Sequence, residues 1–412
     1  MTRYFDQRVF IIAIYYALFM APLLAFDYLV RLLPVLLSHG LNQAFRFSYI
    51  GYGLICIVFY LIYLPLQMPA ARWVLRVGPY ISKLVALVVT ALGATALVFA
   101  YSPSVAYVGR IFMGLGCSSI MLSCIGTLAV KYHYRRFNQL VSVVYALAML
   151  LAFLGATVVR STIHLVGWRL GGALLALIGF IMVLVLILLH SMHPDAKRYQ
   201  ELPLLRTTDE TSSWFFDRLF IKRGLLATLL YLPLMCVTES WGIAWISHAS
   251  ALSYNVASMV VTVAFLGFSV GVITHGWLLE RFDYAPISLT VSAYALTIVS
   301  SALLFVPKLG VVMLTVFFLL IGFFSSSSVS IFILNLKSYP SANRMMLIAA
   351  TNLYWLLSSF VVMLMGYGLE NILKNLVDAW IFFSLSDYQL VLFMLPLCGL
   401  AAIFLTYYLY QE

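Results

Sequence analysis

Long runs of apolar residues, separated by short polar turns, recur along the whole chain. A helix that crosses the hydrocarbon core of a membrane needs about 20 mostly apolar residues, and these runs have that length. The pattern predicts twelve membrane-spanning helices. Their approximate bounds are 9–37, 47–68, 81–101, 105–130, 139–160, 168–190, 223–247, 256–279, 286–306, 310–335, 345–366 and 388–410.

One long polar segment interrupts this pattern between the sixth and the seventh predicted span. The stretch from His190 to Lys222 mixes basic and acidic residues, as a solvated linker does. We therefore predict three parts: an N-terminal six-helix bundle over residues 1–190, a cytoplasmic linker over 191–222 and a C-terminal six-helix bundle over 223–412.

The composition agrees with the apolar pattern. Hydrophobic residues make up 64% and charged residues 9% of the 412 positions, and mean hydropathy is +1.04. A water-soluble globular chain carries about a quarter charged residues, so this chain cannot cover a surface that faces water. The composition therefore requires the lipid bilayer as a partner.

The net charge of +10 has two interpretations: a nucleic-acid partner, or the excess of Lys and Arg in the cytoplasmic loops of membrane proteins. With the N-terminus inside, 17 of the 24 Lys and Arg residues fall in segments on the cytoplasmic side and 5 in outward loops. This bias accounts for the charge without nucleic acid. It predicts a multi-pass protein with both termini in the cytoplasm.

Weak internal similarity indicates a duplication of six spans. The turn after the second span contains Arg76, and the turn after the eighth contains Arg281, 205 positions later. Asp27 in the first span corresponds to Glu239 in the seventh at an offset of 212. Similar offsets around a central linker are typical of transporters built from repeats.

The same two turns carry a family resemblance. The chain resembles the permeases of the major facilitator superfamily, whose signature is G-x-x-x-D-R-x-G-R/K. The second turn matches it at Gly276, Glu280 and Arg281, and the first at Arg76 and Gly78. The resemblance implies an all-α membrane protein of twelve transmembrane helices in two pseudo-symmetric six-helix bundles, which works as a secondary active transporter by alternating access.

The resemblance also implies a cytoplasmic gate. In the superfamily, the acid and the base of this motif help to lock the two bundles together on the cytoplasmic side. Here Ala71 replaces the first glycine and Leu75 replaces the acid. We therefore expect the second copy of the motif to serve the gate better than the first.

Further matches resemble one group of proteobacterial permeases. The segment from Asp27 to Pro34 is similar to their (E)YFIR-x-x-P segment, and the segment from Tyr63 to Pro69 is similar to their Y-x-P-x-Q-x-P. The group includes phagosomal nutrient transporters, which import amino acids or nucleosides, and relatives linked to siderophores. The resemblance implies the bacterial inner membrane and leaves the substrate open.

Charged residues inside spans are the first candidates for transport chemistry, because each costs about 2.5–3.5 kcal/mol to insert. Asp27 and Arg31 lie four apart in the first span, so they share a helix face. With Glu239 and Arg110, they give two carboxylates that could bind a proton or a substrate cation and two guanidinium groups for an anionic substrate group. Alternatively, Asp27 and Arg31 form a fixed pair that merely neutralises both charges.

Aromatic and amide side chains form a second set of candidates, since they suit a small zwitterion. Tyr and Trp are also common at membrane interfaces, which is the alternative interpretation of this set. Asn352 enters it because superfamily members often carry polar cavity residues in the corresponding span. The set is Tyr63, Gln67, Trp241, Trp245 and Asn352.

No G-x-x-x-x-G-K-[ST] phosphate loop occurs in the sequence, so an ATP-driven pump is not predicted, and no HExxH pattern favours a membrane-embedded enzyme. We expect no enzymatic activity, cofactor or metal, and a monomer that acts on a small-molecule substrate with protons as coupling ions. The alternatives are an exporter or importer of an organic anion or siderophore, a membrane-embedded enzyme, and a ligand sensor with a transporter fold.

Overall fold

A computed structural model of the chain describes residues 7–47, 49–192, 213–240, 242–250, 252–282, 285–305, 309–340, 342–379 and 392–409. Within these residues every regular element is a helix, as the apolar pattern predicts.

Helices occupy all six predicted spans of the N-terminal half. They are α1 (Gln7–Leu36), α2a (Tyr49–Tyr63), α2b (Gln67–Val77), α3 (Pro79–Val98), α4 (Pro103–Met121, a π-helical turn Leu122–Gly126 and Thr127–Lys131), α5 (Tyr134–Val166) and α6 (Trp168–Met192). A short helix, Ser38–Phe45, follows α1.

Helices also occupy the six predicted spans of the C-terminal half, after a 3₁₀ turn at Ser213–Phe216. They are α7 (Arg218–Met235, a π-helical turn Cys236–Ser240 and Gly242–Ala249), α8 (Tyr254–Phe282), α9 (Ala285–Phe305), α10 (Val311–Ser325, a 3₁₀ turn Ser326–Val329 and Ser330–Ser338), α11 (Arg344–Ala379) and α12 (Met394–Leu409). The polar segment predicted as a linker therefore already turns helical at Arg218.

The described residues contain ten continuous helices that are long and apolar enough to cross a membrane. The pair α2a and α2b makes an eleventh span, bent by 50° at the break between its two parts. The shorter apolar helix α12 lies where the sequence predicts the twelfth span.

The break in α2 has a local cause. Pro65 lies between Tyr63, the last residue of α2a, and Gln67, the first of α2b. A proline inside a helix removes one backbone hydrogen bond and clashes with the preceding turn, so the helix bends there. The bend puts the polar Gln67 at the start of a helix whose preceding part is almost wholly apolar.

Backbone contacts divide the chain into two compact units. The first unit comprises Met1–Arg46, Val58–Phe220 and Phe332–Leu353, and the second comprises Phe47–Ile57, Ile221–Ile331 and Tyr354–Glu412. Short parts of α2, α10 and α11 thus belong to the unit of the opposite sequence half. The division into bundles at residues 190 and 223 stays a prediction.

The helix pairing inside each unit follows the same scheme. In the first unit α3 packs against α4 and α6, and in the second α9 packs against α10 and α12. Helices α4 and α10 also share an irregular turn at an offset of about 204 residues, at Leu122–Gly126 and Ser326–Val329. Both correspondences agree with a duplication of six helices.

Candidate functional site

Asp27 and Arg31 form an ion pair on one face of α1. Arg31 Nη2 donates to Asp27 Oδ2 across one helical turn, as the spacing of four residues predicts. Both side chains are almost fully buried, with 1% of Asp27 and 4% of Arg31 exposed. A buried ion pair is stable only where the remaining polar atoms also find partners, so those atoms decide what this pair can do.

Several polar atoms of the pair lack a hydrogen-bond partner among the described residues. They are Asp27 Oδ1, Arg31 Nε and Arg31 Nη1. Each such atom costs about 1–3 kcal/mol when it is buried without a partner. The pair therefore offers one acceptor and two donors to a further polar group.

Two tyrosine rings face the Arg31 guanidinium. Its central carbon lies 5.0 Å from the ring centre of Tyr28 and 5.3 Å from that of Tyr63. A guanidinium within about 6 Å of a ring face gains a cation–π interaction. The rings thus hold the guanidinium between α1 and α2, and Tyr28 is a contact of Arg31 that the sequence analysis missed.

An amide cluster lies next to these rings. Asn352 of α11 donates from Nδ2 to Gln67 Oε1 at 2.7 Å and to the hydroxyl of Tyr63 at 3.3 Å. Gln67 Nε2 in turn donates to the carbonyl of Ser118 at 3.2 Å. Asn352 Oδ1 is a further buried acceptor without a partner among the described residues. One network of hydrogen bonds and ring contacts therefore links four predicted site residues: Arg31, Tyr63, Gln67 and Asn352.

Arg110 is fully buried in α4 and is joined to α1. Its Nη1 donates to the backbone carbonyl of Val30 at 3.0 Å, and its guanidinium carbon lies 4.7 Å from the ring centre of Phe59. The structure therefore brings Arg110 to the residue that precedes Arg31. It contacts the backbone there rather than the Asp27 carboxylate.

The candidates of α7 lie in the second unit. Glu239 is 2% exposed and belongs to the π-helical turn Cys236–Ser240. Trp245 is also buried, whereas Trp241 lies outside the described residues. A π-helical turn inserts one extra residue into a helix and is frequent at functional sites.

The second unit contains an aromatic cluster that the sequence analysis missed. The rings of Tyr231 and Trp355 lie 4.0 Å apart, and Trp355 Nε1 donates to Ser328 Oγ at 2.9 Å. Trp355 follows Asn352 by three residues, so the two share a face of α11. This spacing of three residues from Asn352 is the signal by which the sequence could have indicated Trp355.

The gate-motif residues lie on helices, which corrects the expectation that they form loops. Ala71 to Val77 belong to α2b, and the turn itself is confined to Gly78, whose φ of 86° favours glycine. Gly276, Glu280 and Arg281 form the last turns of α8. Arg76 and Arg281 are exposed, whereas Glu280 is half-buried.

Arg344 makes a contact that the sequence analysis did not foresee. From the first turn of α11, its Nη1 donates to the backbone carbonyls of Ala129 at 3.3 Å and Tyr132 at 3.0 Å. These carbonyls end α4, and a cation is favourable at a helix C-terminus. Asn343 caps the same turn of α11, since its Oδ1 accepts from the backbone amides of Met345 and Met346.

Two short patterns found in enzymes do occur in the sequence, which qualifies the expectation of no enzymatic activity. Gly267–Gly271 reads G-x-S-x-G, but its serine lies inside the continuous helix α8 and not at the strand-to-helix turn that a nucleophile needs. His190 and Asp195 have H-x-x-x-x-D spacing, and Asp195 lies outside the described residues. The described residues contain no group of His, Cys, Asp and Glu that could hold a metal ion.

Comparison with known proteins agrees with this architecture. The sequence model of the Major Facilitator Superfamily matches residues 9–363. The fold is similar to the crystal structure of a bacterial homologue of the human lysosomal transporter Spinster, in an inward-facing and occupied conformation, with a TM-score of 0.65, 12% sequence identity and 96% of each chain covered. No curated protein matches the chain. Because the family model spans most of the sequence, the chain belongs to the Major Facilitator Superfamily of secondary transporters.

Proposed function

We propose that this transporter imports a small polar nutrient, an amino acid, a nucleoside or a similar solute, across the bacterial inner membrane in symport with protons. The observation that carries the proposal is the buried Asp27–Arg31 pair with its unpartnered atoms. Alternating access between the two bundles moves the solute, and both termini lie in the cytoplasm.

The set of unpartnered atoms favours a zwitterion. Arg31 offers two donors to a substrate carboxylate, while Asn352 Oδ1 offers an acceptor to an ammonium or an amide. Sites built to hydrogen bond a polar group reject analogues that lack it, because their own buried groups are then left unpaired. An organic anion without N–H groups would leave this acceptor without a donor, which is why transport of an organic anion or a siderophore is the second candidate.

The ion pair supplies a simple route to proton coupling. A substrate carboxylate that binds the Arg31 guanidinium competes with Asp27 for the same cation. When the buried Asp27 carboxylate loses its partner, its charge becomes costly and it takes up a proton. Release of the substrate restores the pair and expels the proton. One substrate molecule then travels with one proton through this site.

The transporting unit in this proposal is a monomer. Ligand sensing without transport uses the same binding site, so only a flux measurement separates the two activities. The measurement must therefore report binding and movement separately.

The first experiment identifies the substrate class by thermal shift. Purified protein is heated with amino acids, nucleosides and organic anions, because a ligand that binds the folded state raises its Tm. We expect stabilisation by amino acids with free amino and carboxyl groups. Stabilisation by dicarboxylates alone would instead favour the organic-anion transporter.

The second experiment tests coupling in proteoliposomes with the stabilising solute. Wild-type protein should accumulate it under an inward proton gradient, and uptake that persists after the gradient is collapsed would refute proton coupling. Asp27→Asn should lose gradient-driven accumulation but keep exchange of labelled for unlabelled solute, which needs no net proton movement. Arg72→Gln, an exposed change on α2b, is the control and should retain both activities.

A further inference from the structure

The end of the central linker is fastened to the turn between α10 and α11. The Asp217 carboxylate accepts a hydrogen bond at Oδ2 from the hydroxyl of Tyr339, the residue that follows α10. Its Oδ1 accepts from the backbone amide of Leu219 at 3.3 Å and so caps the start of α7. One carboxylate thus joins two segments that lie 122 residues apart in the sequence. We call the bond between Asp217 and Tyr339 the linker clasp.

Aromatic rings surround the linker clasp. The fully buried ring of Phe220 lies 6.0 Å from the ring of Tyr339 and 5.1 Å from that of Trp214, each in an edge-to-face arrangement. Ring pairs of this geometry are favourable, so they restrict the Tyr339 side chain. Asp217 and Tyr339 are themselves half-buried. A hydrogen bond to a carboxylate is stronger in such surroundings than in open water.

The turn that the linker clasp holds leads into the contact between α11 and α4. The backbone amide of Ala342 donates to the carbonyl of Tyr339 at 3.2 Å, and Asn343 caps the first turn of α11. Arg344 follows directly and donates to two carbonyls at the end of α4. Because the chain between Tyr339 and Arg344 is short, holding the first restricts where the second can lie.

The linker clasp also lies where the linker leaves the first compact unit. Phe220 is the last residue of this stretch that belongs to the first unit, and α7 continues into the second unit from Ile221. Tyr339, Arg344 and α4 all belong to the first unit. A displacement of α7 would therefore act on the clasp before it acts on the Arg344 contact.

We propose that the linker clasp is a conformational switch that controls access to the end of α4. While Asp217 holds Tyr339, the turn keeps Arg344 on the α4 carbonyls and this end is closed to the cytoplasm. When the clasp breaks, the turn moves, Arg344 leaves and the end of α4 opens. The inference rests on the alternating access and the orientation of the proposed function, but on neither the substrate nor the coupling ion.

Two other roles of these residues predict different results. Asp217 would matter only as the cap of α7, or Tyr339 only as a packed ring. Asp217→Ser keeps a capping hydroxyl but lacks the second oxygen that meets Tyr339. Tyr339→Phe keeps the ring and removes the hydroxyl. The two substitutions thus remove the same bond from opposite sides, and neither removes the cap or the ring.

The test measures how fast a cysteine at Ala129, at the end of α4, reacts with a membrane-impermeant maleimide. It uses the full chain in inside-out vesicles, with the same chain lacking the Ala129→Cys change as background. Asp217→Ser and Tyr339→Phe should each raise the rate about five-fold, because each removes a hydrogen bond to a charged group. Their double variant should react no faster than either. Tyr80→Phe, which removes a hydroxyl at the start of α3, is the control and should react as wild type does.

A second comparison places the clasp and Arg344 on one route. Adding Tyr339→Phe to Arg344→Gln should raise the rate little further, since the contact that the clasp supports is already weakened. The inference is overturned if neither clasp variant changes the rate, if only one does, or if Tm falls while the rate stays that of wild type. The labelling needs no substrate, so a failure of the proposed function would appear separately, in the thermal-shift and uptake measurements.

Discussion

Asn352 Nδ2 donates to Gln67 Oε1 at 2.7 Å although 285 residues separate them in the sequence. Both side chains are fully buried in the first unit. The bond joins the first turn of α2b, just after the bend at Pro65, to α11. The bond fixes the Asn352 side chain and thereby positions its unpartnered Oδ1 for a ligand.

Replacing Asn352 should therefore affect stability and binding together. Asn352→Ala leaves Gln67 Oε1 buried without its donor, which costs about 1–3 kcal/mol and should lower Tm. The Kd of the solute identified by thermal shift should rise as well. A cycle with Gln67→Ala measures the coupling, which should reach at least about 0.5 kcal/mol for residues in contact. Strict additivity of the two changes would contradict a shared role.

The Asp27–Arg31 pair is either part of the transport cycle or a structural means of neutralising two charges, and a double variant separates these roles. Removing one partner of a buried pair costs about 3–5 kcal/mol, whereas replacing both by neutral residues is often nearly neutral. Asp27→Asn with Arg31→Met should thus recover the Tm that Arg31→Met alone loses. We expect the double variant to remain inactive in uptake. Recovery of uptake together with Tm would assign the pair a purely structural role.

The sequence predicted most of this cluster but not its connections. Asp27 and Arg31 are recognisable because they are charged, lie inside a span and stand one helical turn apart. Gln67 and Asn352 were candidates by residue type and family resemblance alone. Nothing local in the chain joins α2b to α11, and Tyr28 could not be told from an ordinary interfacial aromatic residue. Trp355 was recognisable only by its spacing of three residues from Asn352. Long-range side-chain pairing depends on how helices pack, which hydropathy does not encode.

Near the gate motif, the sequence identified the motif but did not predict a contact of the cytoplasmic helix ends. The sequence identified Leu75 as a missing acid, yet it gave no sign that Arg344 would contact the end of α4. Two backbone carbonyls accept from Arg344, and backbone acceptors are present in every sequence. A contact of this kind is therefore visible only in the structure.

Arg344 leads to a prediction about access to the end of α4. Hydrogen bonds from a charged donor contribute about 1.5–3 kcal/mol. Because Arg344→Gln weakens this contact, it should favour states in which the end of α4 is accessible to water. A cysteine at Ala129 should then react with a membrane-impermeant maleimide at least several-fold faster in inside-out vesicles. Lys337→Gln, which removes a positive charge from the end of α10, is the control and should not change the rate. Equal labelling rates in Arg344→Gln and Lys337→Gln would show that Arg344 does not restrict access to the end of α4.

The crossing of α8 and α10 gives a prediction about packing. A Cβ on Gly267 would lie 1.9 Å from the carbonyl oxygen of Leu319, and one on Gly322 would lie 1.8 Å from that of Ala264. Neither backbone oxygen can move without moving its helix, and overpacking of this kind costs about 1–3 kcal/mol. Gly267→Ala and Gly322→Ala should therefore each lower the Tm of the protein in detergent.

Gly310 provides the matched control, because a Cβ there would meet nothing within 4 Å and its φ of −68° suits any residue. Gly310→Ala should leave Tm unchanged or raise it slightly, since alanine restricts the unfolded chain more than glycine does. The double variant of Gly267 and Gly322 should cost less than the sum of the single changes, because one separation of α8 from α10 relieves both clashes. Full additivity of the two changes would show that each clash is relieved independently. The helices would then adjust locally around each substitution, and the crossing would not be rigid.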